Sequence, residues 1–255
     1  MNKIETKILN CSAIREAEKN MVFTARLTQR GHLIHNMEDL VRLYNRSFTN
    51  DTVRNMGGLP HPTIQKFSVI TVAVVGASRR FLSQITRHQN EVKFTSASLQ
   101  YSNYSGEAAF VKPYEILTAP PDIQKLYERS CQSDMDCYEQ LCKAGISHDS
   151  AGYVTPQGLR NVLIISATPY QWKHMIGQRS CRHNTDEIRI VMIKIWDDLY
   201  SLSPVLFCPT TTGPFCQRDK CLEGKMNCKN PIEKNLNPHD LLLQDYPELF
   251  RRAVV

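Results

Sequence analysis

The segment from Gln84 to Tyr104 concentrates side chains that can hold an anionic, planar ligand. It reads QITRHQNEVKFTSASLQYSNY and combines Gln, Arg, His, Glu and Lys with a run of hydroxyl residues. An arginine presents a fixed fork of donors that suits a phosphate or a ring carbonyl. Short Ser and Thr side chains let the backbone approach a ligand closely. The segment is therefore the first candidate for a binding site.

Helical spacing within this segment predicts how its polar side chains are arranged. Gln84, Arg87 and Glu91 recur at intervals of three and four, so they share one face if residues 78–91 form a helix. His88 lies at the edge of that face. The alternative is the solvated face of an ordinary amphipathic helix. The hydroxyl-rich run that follows favours a binding site, because a solvated face rarely leads directly into such a sequence.

Blocks of sequence in a fixed order resemble the signature of the flavin-dependent thymidylate synthases. Gln84, Arg87 and His88 match the Gln and Arg-His of the family motif, and SLQYS from Ser98 matches the Ser-x-Arg-Tyr that follows it. The other similar blocks are HPT at 61–63, LRNVLI around Arg160, RSCRHNTDEIR from Arg179, and the tail GPFCQRDKCLEGKMNC at 213–228. Together they cover most of residues 60–230, as expected for a divergent member.

The resemblance implies a methyltransferase that converts dUMP to dTMP by reductive methylation. It implies FAD as the cofactor, with methylenetetrahydrofolate and NAD(P)H as co-substrates, in a cytoplasmic enzyme. The family's fold implies a thymidylate-synthase-complementing-protein-like domain whose active sites lie between the subunits of a homotetramer. Because the cofactors supply the difficult chemistry, no nucleophile from the protein is required.

Roles for individual residues follow from their positions in these blocks. Arg179 is the predicted catalytic residue, a preorganised cation that stabilises charge on the pyrimidine. The predicted substrate-binding residues are Gln84, Arg87, Ser98, Leu99, Gln100, Tyr101, Arg160 and Arg179. The predicted cofactor-binding residues are His61, Thr63, Arg87, His88, Gln89 and His174. The alternatives are an ion pair of Arg179 with Asp186 or Glu187, a surface role for Arg160, and a structural role for His61.

Some positions depart from the family pattern. Gln89 and Gln100 stand where the family has arginine. Losing a charged donor near a bound nucleotide removes a hydrogen bond of roughly 1.5–3 kcal/mol. We therefore expect another cation to replace the contact, with Arg182 favoured over Lys93. The departures also leave open a related methylase of another pyrimidine monophosphate.

Composition limits the possible classes. The chain has 255 residues and a net charge of +6, which suits an anionic partner, but it has no long basic run of the kind that binds nucleic acid. No apolar stretch reaches membrane-spanning length, so no membrane partner is expected. Nine cysteines are an odd count without an export signal, which favours reduced thiols.

The C-terminal cysteines are the basis of one alternative. Cys208, Cys216, Cys221 and Cys228 include no tight Cys-x2-4-Cys pair, so we predict that no metal is bound. A basic, Cys-rich nucleic-acid-binding module would account for the charge and the cysteines. It would not account for the motif at Gln84–His88.

The elements that must position these residues indicate an α+β fold, with a small antiparallel or mixed sheet and segregated helices. Helices are predicted over 12–30 and 36–48, with caps at Ser12 and Asn36, and over 121–143. A capping box from Asn184 to Glu187 predicts a further helix, with an apolar stripe formed by Ile188, Val191, Met192, Ile195 and Leu199. Arg160 is expected near a helix end. A loop is predicted over 50–62, a buried strand over 66–75 ended by Gly76, and a second strand near Phe110.

Two parts of the chain are distinguished by composition. Residues 1–205 form the predicted catalytic domain. Residues 206–255 are predicted to be an irregular Cys-rich tail with a short helix near Leu241.

Overall fold

A four-stranded antiparallel sheet forms the centre of the protein. The structure, a computed structural model, describes residues 4–59, 61–106 and 109–250. The strands are β1 (Glu5–Ile8), β2 (Ile70–Ser78), β3 (Val92–Ser96) and β4 (Arg160–Ala167), in the spatial order β1-β2-β4-β3. The predicted α+β class is confirmed, and the sheet is antiparallel throughout.

The helices lie in the intervals between these strands and in the part of the chain that follows β4. Their bounds are α1 Ser12–Arg30, α2 Met37–Tyr44, α3 Asn50–Gly57, α4 Arg79–Ile85, α5 Tyr114–Thr118, α6 Pro121–Lys143, α7 His148–Ala151, α8 Pro169–Arg179, α9 Asp186–Leu202, α10 Pro209–Thr212, α11 Phe215–Arg218 and α12 Pro238–Asp245. Single 3-10 turns lie at Gly31–Leu33, Pro62–Gln65, Gly152–Val154, Gly224–Met226 and Pro247–Leu249.

The two central strands present one buried face and one open face. The buried positions are Ile70, Val72 and Val74 of β2 with Leu163, Ile165 and Ala167 of β4. On the open face Val75 lies opposite Val162, and these side chains are 39% and 42% exposed. The core therefore lies on one side of the sheet, as alternation along antiparallel strands dictates.

Helix α9 is the main helix of the core. Its predicted inward stripe is confirmed, since Ile188, Val191, Met192, Ile195 and Leu199 are all buried. The predicted capping box is wrong, because Thr185 is the N-cap residue and makes no side-chain cap. The Glu187 carboxylate instead accepts from the Ser78 backbone N–H at 2.6 Å and from the Ser78 hydroxyl at 2.5 Å. Glu187 thus joins α9 to the end of β2.

The motif helix is shorter than the predicted span of 78–91. It ends at Ile85, and the chain then turns through Glu91, whose backbone has a φ of 56°. The reason is not local, because Val92 pairs with Ala167 and draws the following residues into β3. Arg87 and Glu91 consequently do not share a helix face.

Strand β2 begins and ends later than predicted. Gly76 does not end it but lies within it, with a φ of 84° at a bulge between Val75 and Ala77. Only glycine takes this conformation without strain. Near Phe110 the predicted strand is reduced to a single bridge with Leu159. Arg160, predicted near a helix end, is the first residue of β4.

The N-terminal predictions were right in part. The Asn36 side chain accepts from Asp39 N and caps α2, as predicted. The predicted Ser12 cap is wrong, because Cys11 holds that position without a side-chain bond. The predicted loop over 50–62 contains α3, which a Thr49–Thr52 capping box starts.

The C-terminal part packs against the same core as the rest of the chain. The short helix predicted near Leu241 is present as α12, and its Leu241 and Leu242 are buried together with Phe207 and Tyr246. The division at residue 205 remains a prediction. None of the helices in the described ranges is long and apolar enough to cross a membrane.

Candidate active site

Arg179 and His88 form the centre of the candidate site. Arg179 ends α8 and donates from Nε to His88 Nε2 at 2.8 Å and from Nη2 to the Gln84 carbonyl at 3.2 Å. An arginine side chain is always a donor, so His88 Nε2 must be unprotonated and the ring carries its proton on Nδ1. Burial, followed by the charge of Arg179, lowers the pKa of His88 to about 4. The histidine is therefore neutral at physiological pH.

The surroundings of Arg179 are positively charged and lack a neutralising acid. Burial, followed by the charge of Arg87, lowers the pKa of Arg179, although it stays a cation. Within the described ranges neither arginine forms an ion pair with a carboxylate. The alternative pairing of Arg179 with Asp186 or Glu187 is therefore wrong. Such an uncompensated pair of guanidinium groups suits an anionic ligand.

Two polar side chains, those of Asn184 and Thr185, hold Arg179 and Gln84 in place. Asn184 accepts from Arg179 Nη1 at 3.5 Å and donates to the carbonyls of Gln178 and Cys181. The Thr185 hydroxyl donates to Gln84 Oε1 at 3.2 Å. Asn184 and Thr185 were not among the predicted site residues. The capping pattern had drawn attention to Asn184, but for a different role.

Helix α8 also brings His174 and Lys173 to this region. The rings of His174 and His88 lie edge to face with centroids 6.1 Å apart, and burial, followed by the charge of Arg218, lowers the pKa of His174. Lys173 is 4% exposed, and its Nζ has no hydrogen-bond partner in the described part of the chain. Burial lowers the pKa of Lys173 to about 7. No sequence motif marked Lys173.

The predicted substrate residues around Ser98 lie in a second group. Ser98, Leu99 and Gln100 form a turn beyond β3 and line a cavity of about 500 Å³. Arg179 lines a different cavity of about 540 Å³. Among the residues that the structure describes, none lines both cavities. The two predicted groups therefore line separate cavities of one chain.

The remaining predicted site residues lie at the surface. Gln89 and Tyr101 are exposed, and so are Arg160 at the start of β4 and the pair His61 and Thr63. The 3-10 turn that carries Thr63 packs against α8. The roles assigned to these exposed residues from the sequence stay predictions.

Arg182 does not supply the cation that was expected to compensate for Gln100. It forms an ion pair with Asp245 at 2.7 Å, and the same carboxylate pairs with the buried Arg189 at 2.5 Å. Burial alone would raise the pKa of Asp245, but the hydrogen bonds from Arg182 and Arg189 outweigh it and hold that pKa below its usual value. Arg182 is thus committed to fastening the C-terminal part to α9.

Four cysteines line the cavity beside Arg179. They are Cys181, Cys216, Cys221 and Cys228. Over residues 4–59, 61–106 and 109–250, however, no group of three His, Cys, Asp or Glu side chains is arranged to hold a metal ion. The absence of a metal site stays a prediction.

Comparison with known proteins decides the family. A family model described as thymidylate synthase complementing protein matches residues 10–205. The chain belongs to this family. The resemblance seen in the sequence is thereby confirmed for most of the chain.

Other members of the thymidylate synthase complementing protein family show how divergent this chain is. A flavin-dependent thymidylate synthase of Thermococcus onnurineus is 28% identical over 176 residues, covering 66% of this chain and 71% of the relative. One of Geobacter sulfurreducens is 24% identical over 184 residues, covering 72% and 76%.

Two solved structures share the fold. The UMP/dUMP methylase PolB from Streptomyces cacaoi, bound with 5-Br dUMP, aligns with a TM-score of 0.66 at 17% identity, over 81% of this chain and 94% of PolB. Thymidylate synthase X from Helicobacter pylori, with FAD and dUMP, aligns with a TM-score of 0.57 at 14% identity, over 81% and 98%. The predicted thymidylate-synthase-complementing-protein-like fold is confirmed.

Proposed function

We propose that this protein is a flavin-dependent thymidylate synthase that methylates dUMP to dTMP, with methylenetetrahydrofolate as the carbon donor and NAD(P)H as the reductant. The observation that carries this proposal is the contact of Arg179 with His88 Nε2 and the Gln84 carbonyl, beside Arg87 and with no carboxylate partner among the described residues. Family membership and the names of the relatives support the same reaction.

The donor set around Arg179 suits both a flavin and a pyrimidine. Arg87 is an exposed cation that would bind the anionic diphosphate of FAD. His88 and His174 offer neutral ring edges that would hydrogen-bond to a flat heterocycle. The bound flavin would supply hydride transfer, which no amino-acid side chain provides.

Arg179 would act on the pyrimidine as a fixed positive charge. His88 and Asn184 hold its guanidinium before substrate arrives, so no reorganisation is needed as charge develops on the ring. The hydrogen bond that His88 receives keeps His88 Nε2 free of a proton. A charged His88 would repel Arg179, which explains why a neutral histidine is useful here.

The separation of the two groups of predicted residues supports an active site shared between subunits. The Arg179 group would come from one protomer and the turn Ser98–Tyr101 from another. The open face of the sheet, where Val75 and Val162 lie exposed side by side, offers an apolar surface on which a second copy would pack. A homotetramer would provide several such interfaces.

A related substrate is the second candidate. Gln100 replaces a charged residue of the family motif, and PolB, which acts on UMP and dUMP, has the same fold. A methylase of another pyrimidine monophosphate would use the same flavin and folate chemistry. Its turnover of UMP or dCMP would exceed that of dUMP.

The first test is dependence on the flavin. Purified protein should show a flavin absorption spectrum, and with methylenetetrahydrofolate and NADPH or NADH it should form dTMP from dUMP. Protein stripped of flavin should be inactive and should recover when FAD is added back. Formation of stoichiometric dTMP by the stripped protein would contradict the proposal. Parallel assays with UMP and dCMP distinguish the second candidate.

A further inference from the structure

Arg79 is a cation whose buried donor has no partner. It is the first residue of α4, and its backbone N–H donates to the Leu159 carbonyl at 3.0 Å. Its Nη1 is shielded from solvent and, among the described residues, finds no hydrogen-bond acceptor. Leaving a buried donor without a hydrogen bond costs roughly 1–3 kcal/mol. Buried unsatisfied donors are rare enough that each requires an explanation.

Arg79 lines two adjoining cavities. One is the cavity of about 500 Å³ that Ser98 and Gln100 line, and the other, of about 530 Å³, runs along α4. Arg79, Ser96 and Gln157 line both. The exposed Asp149 also lines the first cavity, but it forms no ion pair with Arg79. Within the described ranges, Arg79 therefore forms no ion pair with a carboxylate.

The turn at Ser98 adds further donors to the same cavity. In the described part of the chain, the backbone N–H groups of Ser98 and Leu99 have no acceptor. The Ser98 hydroxyl oxygen accepts from Gln100 N at 3.1 Å, which leaves its hydrogen available to donate. The turn is held firmly, because Leu99 packs so closely on Gly152 that an added Cβ there would lie 3.2 Å from Leu99 Cδ1.

We propose that Arg79 binds the 5′-phosphate of the nucleotide and so replaces the cation that Gln100 does not supply. A dianionic phosphate would accept from the Arg79 guanidinium and from the donors of the Ser98 turn at once. Of the cations considered from the sequence, Arg182 is paired with Asp245, and Lys93 is an exposed side chain of β3 that lines neither cavity. This inference rests on the proposed function, since it names the phosphate ligand of the same substrate.

The test compares a nucleotide with its nucleoside. Binding of dUMP and of deoxyuridine is measured by calorimetry on the wild-type protein and on Arg79→Gln and Arg79→Lys variants. Arg80→Gln is the matched control, because it removes the same charge from the neighbouring exposed position, which lines neither cavity. Circular dichroism and thermal unfolding establish that each variant is folded.

Arg79→Gln should weaken dUMP binding about 10- to 100-fold, while deoxyuridine binding and the Arg80→Gln control stay at the wild-type level. Arg79→Lys should recover part of the loss, because it retains the charge without the fork of donors. Equal dUMP binding by wild type and Arg79→Gln, or an equal loss for deoxyuridine, would overturn the assignment of Arg79 alone. A wild-type protein that binds neither dUMP, UMP nor dCMP would overturn the proposed function as well.

Discussion

At the scale of single residues, two buried bases have lowered pKa values. His88 is neutral because it is buried and Arg179 donates to it, and burial without an acceptor lowers the pKa of Lys173 to about 7. The two cases differ in their energetics. The His88 contact is satisfied, whereas the Lys173 amine loses its hydration and gains no hydrogen bond, which makes it a cost to folding.

Lys173→Met should stabilise the protein, most strongly near neutral pH. Met is flexible and of similar length, so it fills the same space without an unpaired amine. The pKa of Lys173 is lowered to about 7 in the folded state, against about 10.4 in an unfolded chain. Between these values the unfolded chain binds a proton that the folded chain does not, so wild-type stability rises with pH in this window.

The gain from Lys173→Met should therefore be largest at pH 7 or below and shrink as the pH approaches 10. Urea unfolding at a series of pH values measures it, and the exposed Lys125→Met serves as the control. A gain that is independent of pH would show that the pKa of Lys173 is not lowered in the folded protein.

At the scale of elements, Gly177 allows Arg218 of α11 to approach α8 closely. Gly177 lies on α8 against Arg218, whose guanidinium donates to the carbonyls of Lys173, Thr212 and Gly213. A Cβ at residue 177 would lie 2.5 Å from Arg218 Nη2 and 3.2 Å from the Gly213 carbonyl. The absence of a side chain lets three carbonyls share one arginine.

Gly177→Ala should destabilise the protein by roughly 1–3 kcal/mol, although alanine favours a helix by up to about 1 kcal/mol. Gly31→Ala is the control, because a Cβ at Gly31 meets nothing within 4 Å and its φ is −56°. Chemical denaturation of both variants provides the comparison. A Gly177→Ala protein as stable as Gly31→Ala would mean that Arg218 moves aside without loss.

Some sequence predictions that depend on residues close in the chain were right, whereas some that depend on distant contacts were wrong. The apolar period of α9 and the cap at Asn36 depend on neighbours a few residues away, and both predictions were right. The length of the motif helix was wrong because Val92 pairs with Ala167, a distant residue. Arg182 was assigned to the nucleotide because it follows Arg179. Its partner Asp245 lies 63 residues further along the chain, and no local pattern indicates it.

At the scale of the whole molecule, variants in the two groups of predicted residues test whether the active site is shared between subunits. If Arg179 serves a site completed by Ser98 of another protomer, Arg179→Ala and Ser98→Ala damage different halves of each site. Oligomers containing both variants would then include some sites with neither defect. In a site built within one chain, every copy would carry a defect.

Arg179→Ala alone should lose on the order of a hundredfold in turnover, and Ser98→Ala should bind dUMP more weakly. Co-expressed with different affinity tags and purified through both, the mixed oligomers should be clearly more active than either parent. The control is a doubly tagged oligomer in which both chains carry Arg179→Ala. Mixed oligomers no more active than their parents would place both groups in the same site of one chain.

The pairing of β2 with β4 also constrains how the newly made chain acquires its structure. The Trp172 indole donates to the Ile70 carbonyl across 102 residues, and the apolar strand ITVAVV has β4 as its central neighbour. During synthesis this strand leaves the ribosome after β1 but long before β4, so its edge towards β4 stays unpaired and open to aggregation while the intervening residues are added. Slowing synthesis or raising chaperone capacity should therefore change the soluble yield more than altering the surface of the finished protein.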